Sequence, residues 1–347
     1  MRIGALKESY ATDNALFDTS TQRFWFMIGA LALAAFPFVA NDYWLYMACL
    51  VSIHIISTTG LNILTGYTGL VSLGQAAFMG VGAYTAGYLQ LRVGSPFLVN
   101  LLAAGLVTAF VGIIFGLPSL RVKGLYLAIA TIAASVILHF VFQHWTSVTG
   151  GNTGLSITPA TFFGLELARP VQLYWVIIAL TCVMMLAAAN LFRTRVGRAF
   201  IAIRDRDISA EVLGIPLLRY KLMSFGLSSF YAGLAGGLWA YFFRVVTPES
   251  FPFVYSIFFL AAVIVGGMGT ILGGILGAIF MTLVPEALKI VVGIATPVFP
   301  NAVAQLAPVR TIVFGALIVG FLVFEPHGLA EIWQRIRRFF YLWPFKT

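Results

Sequence analysis

The sequence predicts an all-α polytopic membrane protein with about ten transmembrane helices and both termini on the cytoplasmic side. Three observations carry that expectation. Of the 347 residues, 60% are hydrophobic and only 10% are charged, and mean hydropathy is +0.96, which excludes an ordinary soluble globule. The apolar residues gather into ten runs near 24–40, 44–64, 76–91, 97–117, 125–143, 172–192, 218–242, 254–267, 271–292 and 309–324, most of them about the length that crosses a hydrocarbon core. Finally, placing the N-terminus inside puts 16 of the 21 basic residues on the cytoplasmic side. Only Arg92, Arg169, Arg244, Lys289 and Arg310 then lie outside, the asymmetry that orients polytopic chains. Because the basic residues cluster at the ends of apolar runs, the net charge of +9 reflects topology, and no nucleic acid partner is expected.

Taken in order, residues 1–23 form a polar cytoplasmic segment. It has no apolar core followed by a small-residue cleavage site, so the first run is expected to stay as a span. The transmembrane domain is expected over 24–324. Between the second and third runs, GLNILTGYTGLVSLGQAAFMGVGAYTAGYL (60–89) carries seven glycines, too many for one uninterrupted helix. A loosened backbone at membrane depth must be covered by protein or line a watery cavity. The uncharged groups Asn62, Thr65, Tyr67, Ser72 and Gln75 fit a pathway lining, and they equally fit glycine-mediated packing with polar groups bonded to neighbouring backbone. Arg121 and Lys123 mark the cytoplasmic turn after the fourth run, with Pro118 and Gly124 shaping it. Thr131 and Ser135, four apart, share one face of the fifth span, directed either at a pore or at an adjacent carbonyl. The 144–171 segment is the longest outer loop; its TGGNTGL motif (149–155) is turn-rich and is expected to hold little regular structure.

The most unusual stretch is 193–221. Ten of its 29 residues are charged, so it must lie in water, yet it reads as folded. Asp207 is placed to cap a short helix, Gly214 to end it in a left-handed conformation, and Pro216 to block continuation. Ile201, Ile208, Val212 and Ile215 give an apolar stripe at helical spacing. A structured, basic, amphipathic loop on a membrane protein is a docking surface for a soluble partner, or else a simple orientation signal.

Towards the end, VGGMGTILGGILGA (265–278) links the eighth and ninth spans by a tight turn. Glu286 and Lys289 are read as a local ion pair at the outer end of the ninth. The tail, 325–347, alternates basic and aromatic residues and has the form of an interfacial anchor to membrane lipid. The two cysteines, Cys49 and Cys182, sit inside apolar runs and read as reduced packing residues. Several chemistries are missing: there is no phosphate loop, no HExxH or CxxC, no Gly-x-Ser-x-Gly elbow, and the four histidines are scattered. No catalytic, cofactor or metal site is expected on this chain. Energy for uphill transport would have to come from elsewhere, with the charged loop as its input.

Six segments in order, GLNILTGYTGLVSLGQAAFMGVGAYTAGYL, LRVKGLYLAIATIAAS, TGGNTGL, RVGRAFIAIRDRDISAEVLGI, GGMGTILGGILGA and FEPHGL, resemble the LivM-type permease subunits of ATP-binding-cassette importers for branched-chain amino acids. The resemblance runs from about residue 44 to 329. At Gly274 the chain departs from relatives that carry proline after GMGTxxG. Membership implies a fold similar to that of cobalamin and ribose importers. It also implies a bacterial inner-membrane location, a LivH-type sister permease, two cytoplasmic ATPases that bind ATP–Mg, and a periplasmic substrate-binding protein. By the same resemblance, the loop within 193–217 supplies the coupling helices. Ala199, Phe200, Ile203, Ala210, Val212 and Leu213 would give contact area; Arg198, Arg204, Asp205, Asp207 and Glu211 would fix register; Gly214 would permit the turn. Similar subunits import urea, short amides or aromatic acids, and an ion-coupled carrier is the reading from another class.

Overall fold

The computed structural model describes residues 20–119, 124–162, 165–166, 169–295 and 328–342, with scattered positions from 312 to 325. Its helices are α1 (Ser20–Val39), α2 (Asp42–Asn62), α3 (Gln75–Tyr88), α4 (Phe97–Ser119), α5 (Leu125–His144) and α6 (Pro170–Arg193). They continue as α7 (Arg195–Asp205), α8 (Asp207–Val212), α9 (Leu217–Phe243), α10 (Phe253–Gly266), α11 (Ile271–Ala295) and α12 (Gly328–Leu342). The first nine expected spans each coincide with one of α1–α6 and α9–α11. The tenth lies largely outside the described residues, as do Arg121 and Lys123. Six helices among the described residues are long and apolar enough to cross a membrane.

The bundle is built around α2 and α9. From Ser52 to Asn62 every residue of α2 is buried, and because six of them are polar (Ser52, His54, Ser57, Thr58, Thr59 and Asn62), this stretch must be enclosed by protein and not face lipid. It packs on α6, α9, α10 and α11, while α9 packs on α2, α3 and α4. Small residues let α3 and α9 touch backbone to backbone: a Cβ on Gly82 would lie 2.2 Å from the Gly233 carbonyl oxygen, the close approach that drives helix association in lipid. The outer faces of α4 and α5, with Leu106, Phe110, Tyr126 and Phe140 exposed, are the greasy surface such a bundle offers to lipid. Polar groups inside are tied off. The His54 Nδ1 lies 2.7 Å from Thr282 Oγ1 and its Nε2 bonds the Tyr255 hydroxyl, joining α2, α10 and α11. Asn100 donates to the Tyr241 hydroxyl at 2.8 Å.

Local chemistry explains where elements begin and end. Pro170 opens α6, and the Gln172 side chain accepts from the Arg169 N–H at 3.3 Å, the one half of a capping box that an arginine at this position permits. After α2 the chain widens into a π-turn, Ile63–Tyr67, and runs without helix over 69–74, so the break expected of the glycine-rich stretch is present. The outer loop is more ordered than its composition predicts. It holds a helical turn, Thr146–Thr149, and a 3-10 turn, Gly151–Thr153, and Leu155–Ser156 pairs antiparallel with Val245–Val246. That strand partner lies some ninety residues downstream, beyond the reach of local pattern. The Glu286–Lys289 pair forms at 2.7 Å and takes in the Tyr43 hydroxyl as well.

Candidate functional site: the α7–α8 loop and the turn beneath it

Thr194 ends α6 in extended backbone, and its hydroxyl accepts from the Gly197 N–H at 3.5 Å, capping α7. On α7 the residues at helical spacing face inward: Gly197, Ala199, Phe200 and Ile203 are buried, whereas Arg195, Arg198, Arg204 and Asp205 are exposed. Phe200 is fully buried and meets the Tyr220 ring of α9 edge-on, 6.3 Å between centroids. Arg206, at φ −157° and ψ 102°, breaks the run before α8. Asp207 is the first residue of α8, not the residue preceding it, and its carboxylate stands 3.6 Å from the Lys221 ammonium of α9. At the far end Gly214 takes φ +85°. Its N–H donates to Glu211 O at 2.9 Å, and Ile215 N–H donates to Ala210 O at 3.0 Å, the paired bonds of a Schellman cap.

The division between inside and outside differs from the sequence reading. Ala199, Phe200, Ile203 and Ala210, expected to offer contact area, are spent on the chain's own core. They hold α7 and α8 in place. The free apolar area comes instead from Ile208, Val212 and Leu213, exposed by 69%, 82% and 80%, with Glu211 and Arg198 exposed beside them. Ile201, half-buried on α7, is separated from the exposed Ile208 by the extended backbone of Arg206, so no single helix carries both.

Arg204 reaches back into the bundle. Its Nη1 donates to the Gly66 carbonyl at 2.9 Å, within the π-turn, and its Nε lies 3.3 Å from Asp205 Oδ1. The same guanidinium lies against the α10–α11 turn, where Gly269 has φ +74° and a Cβ would fall 2.4 Å from Nη1. That turn is gripped by Asn62, which donates to Thr270 O at 2.7 Å and accepts from Gly269 N–H at 2.9 Å. Tyr67 stacks on Phe192 at the end of α6, with centroids 3.4 Å apart and planes within 11°. Gly274 uses its N–H to bond Thr270 O at 3.2 Å, a bond that proline at this position could not make. One point in the structure thus joins the loop, the end of α2 and the α10–α11 turn.

The remaining expected pathway residues bond within the chain. Thr65 donates to Leu70 O at 3.2 Å, Ser72 accepts from Gly74 N–H at 3.3 Å, and Gln75 donates to Ser57 O at 2.8 Å. Thr131 accepts from Leu73 N–H at 2.9 Å and donates to Ala128 O at 2.8 Å. These bonds secure the non-helical 69–74 segment against its neighbours. Ser135 is buried and, alone of these, has no hydrogen-bond partner among the described residues. Among the described residues no cluster of three or more His, Cys, Asp or Glu could hold a metal. Sequence reasoning missed Gly66, Gly269 and Lys221 as partners of the loop. Only the glycines carried a signal, their presence in two separate apolar stretches.

Comparison with known proteins matches residues 43–322 to the family described as branched-chain amino acid transport system / permease component. The high-affinity branched-chain amino acid transport system permease protein LivM of Escherichia coli K12 is 32% identical over 340 residues, covering 91% of this chain and 76% of the relative. A probable branched-chain amino acid transport permease protein LivH of Methanocaldococcus jannaschii is 26% identical, covering 80% and 89%. The ribose import permease protein RbsC of Escherichia coli K12 is 25% identical, covering 69% and 75%. No solved structure matches the chain. With an apolar helical bundle, a folded charged loop and a family match that spans both, the chain belongs to the branched-chain amino acid transport permeases and is a multi-pass membrane protein.

Proposed function

We propose that this chain forms half of the translocation pathway of an ATP-binding-cassette importer for branched-chain amino acids in a bacterial inner membrane. In this reading both termini are cytoplasmic. A LivH-type sister permease supplies the other half, a periplasmic binding protein delivers the solute, and two cytoplasmic ATPases carrying ATP–Mg drive the cycle. The ATPases dock on α7–α8, where Val212 and Leu213 are the contact and Arg198, Asp205 and Glu211 set register around it.

The observation that carries this reading is the exposure of Ile208, Val212 and Leu213 on a helix whose other side is fixed by Ala210, Asp207–Lys221 and the Gly214 cap. Three apolar side chains held rigidly in water offer preorganised contact area at little ordering cost. ATP binding would move the inward/outward equilibrium through differential affinity of this surface for the two ATPase arrangements. Asn62, Thr65, Tyr67, Ser72, Gln75 and Thr131 shape the broken segment beside the pathway, and Ser135 faces it.

The test is co-purification. Val212→Glu with Leu213→Glu should leave the permease folded, since exposed substitutions change stability by about 0.5 kcal/mol or less, while the ATPases are lost from the purified complex. Retention of both ATPases at wild-type stoichiometry would refute the docking assignment.

A further inference from the structure

Between α3, α5 and α10 lies a half-open cavity of about 280 Å³, walled by Ala77, Ser135, His139, Pro252, Phe253 and Ser256. We propose that this groove is a solute subsite of the pathway, taking a branched aliphatic amino acid with its carboxylate at the start of α10 and its side chain against Phe253. The proposal rests on the transport reading above.

Two independent features point to a ligand. The Ser135 hydroxyl, in a residue 6% exposed, lines the groove and has no partner among the described residues. A serine inside a helix ordinarily bonds back to its own preceding turn, as Thr131 does with Ala128. Ser135 does not, so its oxygen is free to accept from an ammonium group. The second feature is α10 itself, a helix of 14 residues that begins inside the groove at Pro252 and Phe253. The first N–H groups of a helix have no intrahelical acceptors and carry partial positive charge, which favours an anion such as a carboxylate.

The walls are prearranged. Ser256 Oγ accepts from Ala76 N–H at 3.0 Å, locking the first turn of α10 to the first turn of α3. The Gln143 amide nitrogen lies 3.2 Å from His139 Nε2; if the amide donates there, the ring proton sits on Nδ1. No acidic residue lines the groove, so nothing repels the carboxylate. The volume lies just under the range of about 300–1,000 Å³ found for drug-sized ligands, which suits a small solute. Of the other unpartnered hydroxyls, Thr58 and Tyr84, neither lines it.

The experiment uses the complete importer in proteoliposomes with its cysteines removed, including Cys49→Ala and Cys182→Ser. Wild-type uptake of leucine is read first in the same vesicles: its absence overturns the transport reading, and the subsite with it. Given uptake, Ser135→Cys is treated with a small methanethiosulfonate during turnover. The expected result is that modification lowers leucine uptake about ten-fold or more and that leucine, delivered by its binding protein, slows modification about five-fold, the protection given by about 80% occupancy. An unchanged modification rate, normal uptake after modification, or no reaction in any state would overturn the subsite alone. The last of these means that lipid or the sister permease fills the groove. Should Ser135→Cys fail to assemble, Ala77→Cys, on the α3 wall of the groove, gives the same readout.

Discussion

Arg204 offers the sharpest test of how the loop speaks to the bundle. Two interactions compete for its importance. The contact with Asp205 spans 3.3 Å between side chains exposed by 39% and 63%, and such surface pairs contribute about 0–1 kcal/mol. The bond to the Gly66 carbonyl, at 2.9 Å and partly buried, is charge-assisted, and bonds to charged groups contribute about 1.5–3 kcal/mol. Discounting for the exposure of the guanidinium leaves about 1–2 kcal/mol, which is roughly a ten-fold change in an equilibrium. The Gly66 bond therefore decides the outcome. Arg204→Met keeps the stem and removes the bond, so leucine uptake in proteoliposomes should fall about ten-fold while the ATPases still co-purify, because the reach of Arg204 is inward. Arg204→Lys, a point charge on a shorter stem, should recover only part of the loss. Asp205→Ala, which leaves the Gly66 bond in place, should cost less transport than Arg204→Met. Wild-type uptake by Arg204→Met, or an equal loss in Asp205→Ala, would refute a mechanical role for the Gly66 contact.

Two further outcomes follow from the same geometry. Asn62→Ala removes both bonds to the α10–α11 turn and should lower stability by about 1–3 kcal/mol, seen as a lower Tm of the detergent-solubilised complex; an unchanged Tm would mean the turn holds its shape without that grip. Gly214→Ala meets no atom within 4 Å, so its cost is the left-handed backbone alone, about 1–2 kcal/mol, and Gly214→Asn should recover much of it; matching Tm values for all three would show that the cap is not needed.

The helical framework was largely legible because membrane spans announce themselves by length and apolarity, and α2, α5 and α6 begin and end within a few residues of the expected bounds. The break after Asn62 was legible too, since glycine density is a local property. So was the end of α8, where Gly214 and Pro216 state the cap in the sequence itself. What could not be read was facing and partnership. Ala199, Phe200 and Ile203 are apolar residues on a charged loop, and composition cannot say whether such residues turn towards a partner or towards their own bundle. Asp207 looked like a cap because it precedes a helical pattern, yet Lys221, one helix further on, stands across from it. The same limit hid the strand pair between 155–156 and 245–246.

The polar residues of 60–89 show why two readings were possible from sequence. A backbone that leaves the helix inside an apolar bundle exposes N–H and C=O groups that lipid cannot satisfy, so it must import hydrogen-bonding side chains. A water-lined pathway needs the same side chains for the solute. Composition is therefore identical in the two cases, and only the direction of each group separates them. Asn62, Thr65, Ser72, Gln75 and Thr131 turn to backbone groups, while Ser135 does not. Asn62 is the most telling, because both ends of its amide are committed to the turn beside which Arg204 lies. A group fixed on both sides cannot also follow a passing solute, but it can pass movement of α7 to the ends of α2 and α11. A joint at the glycine-rich turn would leave solute contact to the groove proposed between α3, α5 and α10.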